Sequence, residues 1–197
     1  MTSDFSRFFR TWLRQPMLTG AVSPSGKALA SAMASEVAAD GEWPVLELGP
    51  GTGPVTAALI ERRIAAERIV AVEFDGGFCS LLVDRFRGLN VVEGDAYDLA
   101  MSLPPGLSGP YAAAVSSLPL LTRPSAARLR FIDDVLDRVL PGGALVQFSY
   151  GLWPPVAASP GNFAVSRAAF VLANLPPAQV WLYRRERRAA PREGAAA

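Results

Sequence analysis

The residues best suited to chemistry are acidic and stand at the ends of short apolar runs. Glu47 lies in VLELGPGTG, Val45 to Gly53, just ahead of three glycines. Glu73 ends IVAVE, Ile69 to Glu73, and Asp95 lies in GDAYDL, Gly94 to Leu99. A strand that runs into glycines and then a helix brings backbone N–H groups close to a ligand at a helix N-terminus. A dinucleotide site would want G-x-G-x-x-G, whereas the spacing here is G-x-G-x-G with Pro54 next. Proline permits the helix to start but loses the close approach a pyrophosphate needs, and Glu47 is a poor neighbour for a diphosphate. Glu73, at the end of a second strand, can accept both hydroxyls of a ribose. Asp95 falls at the same carboxyl edge, where such sheets bind ligands, although an aspartate there can equally cap a helix. Acidic strand ends, a glycine loop and no phosphate-binding lysine describe a cationic nucleoside ligand.

The residues that are missing narrow the chemistry further. The chain has no histidine and one cysteine, Cys79. That excludes histidine-activated nucleophiles, imidazole proton shuttles, a disulfide framework and a histidine or thiolate metal site, so no metal is expected. Proton transfer must use carboxylates, tyrosines, Lys27, backbone or water. A net charge of +1, from 19 basic and 18 acidic residues, argues against a general nucleic-acid partner. With 197 residues, 50% hydrophobic and 19% charged, the chain suits one ordinary domain with a sizeable core. Lys27 is the lone lysine, and arginine, alanine and proline are heavily used, which hints at a bacterial genome of high GC content. No run approaches the ~18 apolar residues of a membrane span, and Arg7, Arg10 and Arg14 interrupt the place of a signal peptide. These features predict a cytoplasmic protein.

The elements that must position these residues alternate between strand and helix. Strands are expected at Pro44–Leu48, Ile69–Glu73, Leu89–Val92, Tyr111–Ser116 and Ala144–Ser149. Helices are expected at Pro54–Arg63, Phe78–Phe86 and Pro124–Leu140, the last closed by Gly142-Gly143. Two further apolar stretches, Ala168–Leu172 and Gln179–Tyr183, flank Leu175-Pro176-Pro177 and suit an antiparallel hairpin at the sheet edge. The architecture is a doubly wound α/β sheet, Rossmann-like and mostly parallel, with helices on both faces.

From ELGPGTG through VEFD to GDA, residues 43 to 150 resemble a class I S-adenosylmethionine-dependent methyltransferase. The resemblance implies that Gly49, Gly51 and Gly53 approach the methionine part of that cofactor, and that Glu47, Thr52 and Ser116 also bind the cofactor. It implies that Glu73 binds the ribose with Phe74 against the adenine, and that Asp95 hydrogen-bonds the adenine amino group with Ala96 supplying backbone. VSSLPLL (Val115–Leu121), QFSYG (Gln147–Gly151) and LTGAVSPSG (Leu18–Gly26) narrow the likeness. Together they resemble the small bacterial phospholipid N-methyltransferases, and more distantly the rRNA adenine dimethylases. The former methylate phosphatidylethanolamine stepwise towards phosphatidylcholine. Where adenine enzymes carry an N/D-P-P-Y/F-like loop, this chain has Ser116, Pro119 and Leu120, with no aromatic to stack on a flipped base.

The N-terminus supports a lipid partner on physical grounds. On a helix over residues 4–15, Phe5, Phe8, Phe9, Trp12 and Leu13 form one face, with Arg7, Arg10 and Arg14 opposite. Such a helix suits a bilayer interface rich in anionic lipid, or else docks its aromatics on the sheet or a partner subunit. The expected organisation is therefore a membrane-binding helix and cofactor lid over 1–42, then a methyltransferase domain over 43–190. The protein is expected to sit peripherally on the inner face of the cytoplasmic membrane. Thr19 and Ser25 bound the lid segment expected to fold over the cofactor and are candidates for binding it, although its Ser-Pro-Ser can equally cap a helix starting near Ser25. Ser116 and Tyr150 are candidates for positioning the amine, Tyr150 and Trp153 for cation–π contact with methylated products, and Tyr97 for lining the lid side. Tyr150 serves equally well as ordinary strand packing. RRERR, Arg184 to Arg188, reads as a solvated edge or a second lipid contact. Two other readings stand beside the lipid enzyme: a methyltransferase for a soluble amine or RNA, and a membrane-binding cofactor sensor without catalysis.

Overall fold

The computed structural model describes residues 24–186, which form a seven-stranded sheet with helices on both faces. The strands are β1 (Val45–Leu48), β2 (Ile69–Glu73), β3 (Asn90–Glu93), β4 (Ala113–Ser116), β5 (Leu145–Ser149), β6 (Phe163–Val171) and β7 (Ala178–Arg185). The helices are α1 (Pro24–Ala34), α2 (Pro54–Glu61), α3 (Gly76–Arg85), the single turn α4 (Leu99–Ser102) and α5 (Ser125–Asp137). Strand order is β3-β2-β1-β4-β5-β7-β6. The first five strands are parallel, while β7 runs antiparallel to both β5 and β6.

Alternation along each strand divides the core in two. Val45, Val115, Val146 and Val180 face α1 and α2, meeting Leu29, Met33, Val55 and Leu59. Leu46, Leu48, Val72, Leu145 and Tyr183 face the other way, against Ile132, Val135 and Leu136 of α5. The core therefore extends N-terminally of residue 43, because α1 buries Leu29, Ala30 and Met33 against the sheet. Arg62 donates to the Val37 carbonyl at 3.4 Å, and Arg68 to those of Ala39 and Trp43 at 3.1 and 3.0 Å. These bonds fasten the α1–β1 connection to the amino edge of the sheet.

Among the described residues the expected strands and helices are all present, with shifted ends. The helix expected at Pro124–Leu140, α5, stops at Asp137, since Tyr111 N–H donates to the Arg138 carbonyl and Leu140 N–H to the Tyr111 carbonyl. This exchange also takes Tyr111 out of β4 into an isolated bridge with Val139. The helix expected at Phe78–Phe86, α3, begins at Gly76, two residues earlier, because the Asp75 carboxylate accepts from the N–H groups of Gly77 and Phe78. The hairpin strand expected at Ala168–Leu172 is longer, starts at Phe163, and has a bulge between Arg167 and Ala169. The proposed membrane face (Phe5, Arg7, Phe8, Phe9, Arg10, Trp12, Leu13, Arg14) and Thr19 lie outside the described residues. Ser25 falls in the first turn of α1.

Candidate active site

The parallel register aligns the site residues along one edge. Leu48 pairs with Val72 and with Ser116, Glu73 pairs with Glu93, and Ser116 pairs with Gln147. The Gly49–Gly53 loop, Glu73, Asp95, Ser116 and Tyr150 therefore all leave the sheet at its carboxyl edge.

The three glycines of the loop serve different ends. Gly49 has φ +67°, and a Cβ on it would stand 2.7 Å from Leu118 Cδ2, so the β4–α5 connection packs directly on this residue. Gly53 has φ +81°, and its Cβ would stand 2.4 Å from the Phe86 ring. Gly51, at φ +56°, has open space where a Cβ would be. Of the three, Gly51 thus marks the cradle, while the other two let protein approach protein. Gly51 N–H donates to Glu73 Oε2 at 2.9 Å, and Glu73 Oε1 accepts from Phe74 and Asp75 N–H at 2.9 and 3.0 Å. Glu73 thereby locks the glycine loop to β2 while its carboxylate stays at the edge. Phe74 beside it is exposed, and the Thr52 carbonyl accepts from Arg85 at 2.9 Å.

Glu47 is fully buried under this loop. Thr56 Oγ1, in the first turns of α2, donates to its Oε2 at 2.8 Å, while Oε1 has no hydrogen-bond partner. Burial pushes the Glu47 carboxyl up to about 7; the Thr56 hydrogen bonds oppose this rise and the charge of Glu73 adds to it. A buried carboxyl with one orphaned oxygen is a receptor for a cationic donor, because leaving it unmatched costs about 1–3 kcal/mol or more. This is the observation on which S-adenosylmethionine fits: Glu47 suits its ammonium group, Gly51 its close approach, and Glu73 its ribose.

Asp95 is exposed and its Oδ1 accepts from Tyr97 N–H at 2.8 Å, while Ala96 is buried behind it. The helix-cap reading of Asp95 does not hold, since the cap of α4 is Asp98, which accepts from Met101 N–H. Tyr97 packs its ring on Phe131 at 5.3 Å and carries the Arg123 guanidinium 4.2 Å above it.

On the acceptor side, Ser116 is buried and its Oγ accepts from Leu118 N–H at 3.3 Å, so the hydroxyl braces the loop that follows. Gln147, which the motif reading passed over as a site residue, holds the same loop by donating to the Leu118 carbonyl at 3.0 Å. A polar residue inside an otherwise apolar strand was the available signal. Tyr150 is half-buried, meets Phe148 edge-on at 5.3 Å, and hydrogen-bonds Asn174. Leu118, Leu120, Leu121, Phe148, Tyr150 and Pro155 line an apolar pocket here. Burial raises the hydroxyl pKa of both Tyr97 and Tyr150, which makes either a poorer proton acceptor near neutrality. Trp153 stands in solvent, away from this pocket's lining. Arg185 is paired with Asp133 at 2.9 Å and with Asp137, and it lies towards the opposite, amino edge, where Tyr183 pairs with Leu145. Arg187 and Arg188 lie outside the described residues.

Known proteins resemble this chain in sequence and in fold. The family model "Ribosomal RNA adenine dimethylase" matches residues 30–104, which hold the cofactor half of the site and stop before β4. An ornithine lipid N-methyltransferase of Singulisphaera acidiphila is 27% identical over 92% of this chain and 96% of its own length. A ribosomal RNA small subunit methyltransferase A of a Synechococcus strain is 38% identical, but over 50% of this chain and only 33% of its own. Among solved structures, a magnesium protoporphyrin IX methyltransferase of Synechocystis superposes with a TM-score of 0.62 at 13% identity, covering 90% of this chain and 91% of that one. TrmN of Thermus thermophilus gives 0.63 at 18% identity, over 81% of this chain and about half (49%) of that one. The fold is that of the class I S-adenosylmethionine-dependent methyltransferases, and the Synechocystis structure holds bound S-adenosylmethionine, the cofactor that this site fits.

Proposed function

We propose that this chain is an S-adenosylmethionine-dependent N-methyltransferase whose acceptor is the amine of a membrane lipid, phosphatidylethanolamine and its mono- and dimethyl forms. The observation that carries this reading is the shallow, open apolar hollow at the end of β4 and β5, lined by Leu118, Leu120, Leu121, Phe148 and Pro155. A nucleobase reader places an aromatic or Arg plane where Pro119 and Leu120 stand here, since each stacked base is worth roughly 1–3 kcal/mol. An acyl chain asks only for apolar walls. The lipid relative, which matches almost the whole chain, supports the same choice, whereas the adenine dimethylase match ends ahead of this pocket. Among the described residues no helix is long and apolar enough to cross a membrane, which is compatible with peripheral attachment.

Bound S-adenosylmethionine supplies a sulfonium methyl group open to in-line displacement. The protein's share is to hold a neutral amine lone pair about 3 Å from that carbon and to keep water away. An ethanolamine ammonium must lose a proton first. Neither Tyr97 nor Tyr150 is tuned to take it, so desolvation against the Leu118–Leu121 wall lowers the amine's pKa and water receives the proton. Ser116 and Gln147 act by fixing the loop that forms this wall.

The test is transfer of labelled methyl from S-adenosylmethionine to vesicles of phosphatidylethanolamine with phosphatidylglycerol, run beside ornithine lipid vesicles, soluble amines and rRNA. Label in mono-, di- or trimethylated ethanolamine lipid supports the reading. Label only in ornithine lipid would change the headgroup, and label only in RNA or a soluble amine would overturn the reading.

A further inference from the structure

Although 19% of the chain is charged, residues 144–166 and 168–183 contain no Asp, Glu, Lys or Arg. These stretches form β5, most of β6 and most of β7, together with the loops that meet at the carboxyl edge. On the loop after β5, Leu152 and Trp153 are 77% and 81% exposed, and on the β6–β7 turn Leu172 and Leu175 are 72% and 80% exposed. Single exposed apolar residues are ordinary, but four on two adjoining loops form a patch that water solvates poorly.

The two loops are held as one platform. Gln179 donates to the Gly151 carbonyl at 2.6 Å, Tyr150 hydrogen-bonds Asn174, and Asn174 donates to the Pro176 carbonyl at 2.7 Å. Tyr150 also lines the apolar pocket, so the platform stands at the pocket's rim. The one charge in the region, Arg167, is exposed on β6 and reaches Gln179 at 3.2 Å, at the base of the loops.

We propose that the Leu152–Trp153 and Leu172–Leu175 loops insert together into the interface of a phospholipid bilayer, with Arg167 at headgroup level. Shape and charge select this occupant. The side chains stand on two projecting loop tips, which enter a soft medium, whereas a docking helix asks for a groove. Tryptophan and leucine above an arginine match the interfacial order of apolar core, aromatic belt and anionic phosphate. A rigidly held tip also loses little side-chain freedom on insertion. The proposal rests on the lipid-acceptor reading for its purpose, because it would bring the pocket's rim to the membrane, but its test does not require methyl transfer.

The experiment is co-sedimentation of the full chain with vesicles of phosphatidylcholine and phosphatidylglycerol that contain no ethanolamine lipid. Leu172→Ser/Leu175→Ser is the first variant and Leu152→Ser the second. Each is checked for an unchanged thermal midpoint and unchanged calorimetric affinity for S-adenosylhomocysteine. The double variant is expected to lower the vesicle partition coefficient about tenfold, and the single variant about threefold. Partition equal to the wild type's, or no wild-type binding at all, overturns the proposal. So does a wild-type dimer in light scattering that the double variant abolishes, since the patch would then cover a second copy. If tip variants lose vesicle binding while no lipid is ever methylated, the docking stands and the lipid-acceptor reading falls. If lipid is methylated while the variants bind vesicles normally, the docking falls alone.

Discussion

Glu47→Gln probes the site through its buried, half-satisfied carboxyl. Its pKa is raised from 4.5 to about 7, chiefly by burial. A carboxyl that binds its proton more tightly folded than unfolded adds stability at low pH and loses it as pH rises towards the folded value. At pH 5 the folded state keeps the proton that the unfolded chain largely gives up, and at pH 8 neither holds it. With those two pKa values, the linkage relation makes this group's contribution about 2.5 kcal/mol larger at pH 5 than at pH 8. Glutamine keeps an acceptor for Thr56 and cannot titrate, so this component vanishes. The assay is urea unfolding of the cofactor-free protein at both pH values, read as the difference between wild type and variant so that other groups cancel. A ligand ammonium needs the ionised carboxylate, so wild-type affinity for S-adenosylhomocysteine should fall about tenfold from pH 8 to pH 6, and the variant's should be weak and flat. Identical pH dependence of stability in the two proteins would refute the burial argument. A flat wild-type binding profile would refute the ammonium assignment.

Further outcomes are expected. Glu73→Gln sets an amide N–H₂ against either Gly51 N–H or the Phe74 and Asp75 pair, so calorimetry should find cofactor affinity reduced at least about tenfold, with stability falling about 1–3 kcal/mol. Gly51→Ala carries left-handed strain of about 1–2 kcal/mol but meets no protein atom, so its main effect should be on cofactor affinity. Gly53→Ala drives a methyl into Phe86 and should lower the thermal midpoint well beyond the Gly51 variant. Arg185→Ala should lower stability by about 1 kcal/mol while leaving cofactor affinity unchanged, because Arg185 ties the amino-edge end of β7 to Asp133 and Asp137 of α5, away from the carboxyl edge.

The cofactor half was legible in the chain because its signals are local. Glycines that must take positive φ, an acidic residue ending each of two buried runs, and proline opening a helix act within a few residues of one another. Parallel strands connected through helices then bring their carboxyl ends to one edge, so Glu47, Glu73 and Asp95 converge wherever that pattern holds. Charge-free composition around β5–β7 was equally visible, but its meaning was not. Only the folded chain decides that Leu152 and Leu175 come out in solvent on joined loops while Phe163 and Val180 go into the core.

The division of labour among the glycines also required the structure. In the sequence, Gly49, Gly51 and Gly53 are equivalent members of one motif. Leu118 and Phe86, from distant parts of the chain, close over two of them and leave the third open. The pKa of Glu47 is set by desolvation, which no spacing encodes. The place of Arg185 follows from a strand that reverses direction and carries its basic end away from the site. Residue order by itself therefore determined the class of fold and the kind of cofactor, since both follow from short-range backbone demands. Tertiary packing decided exposure, charge state and which loops close over the glycines, because these depend on which distant segments exclude water from one another.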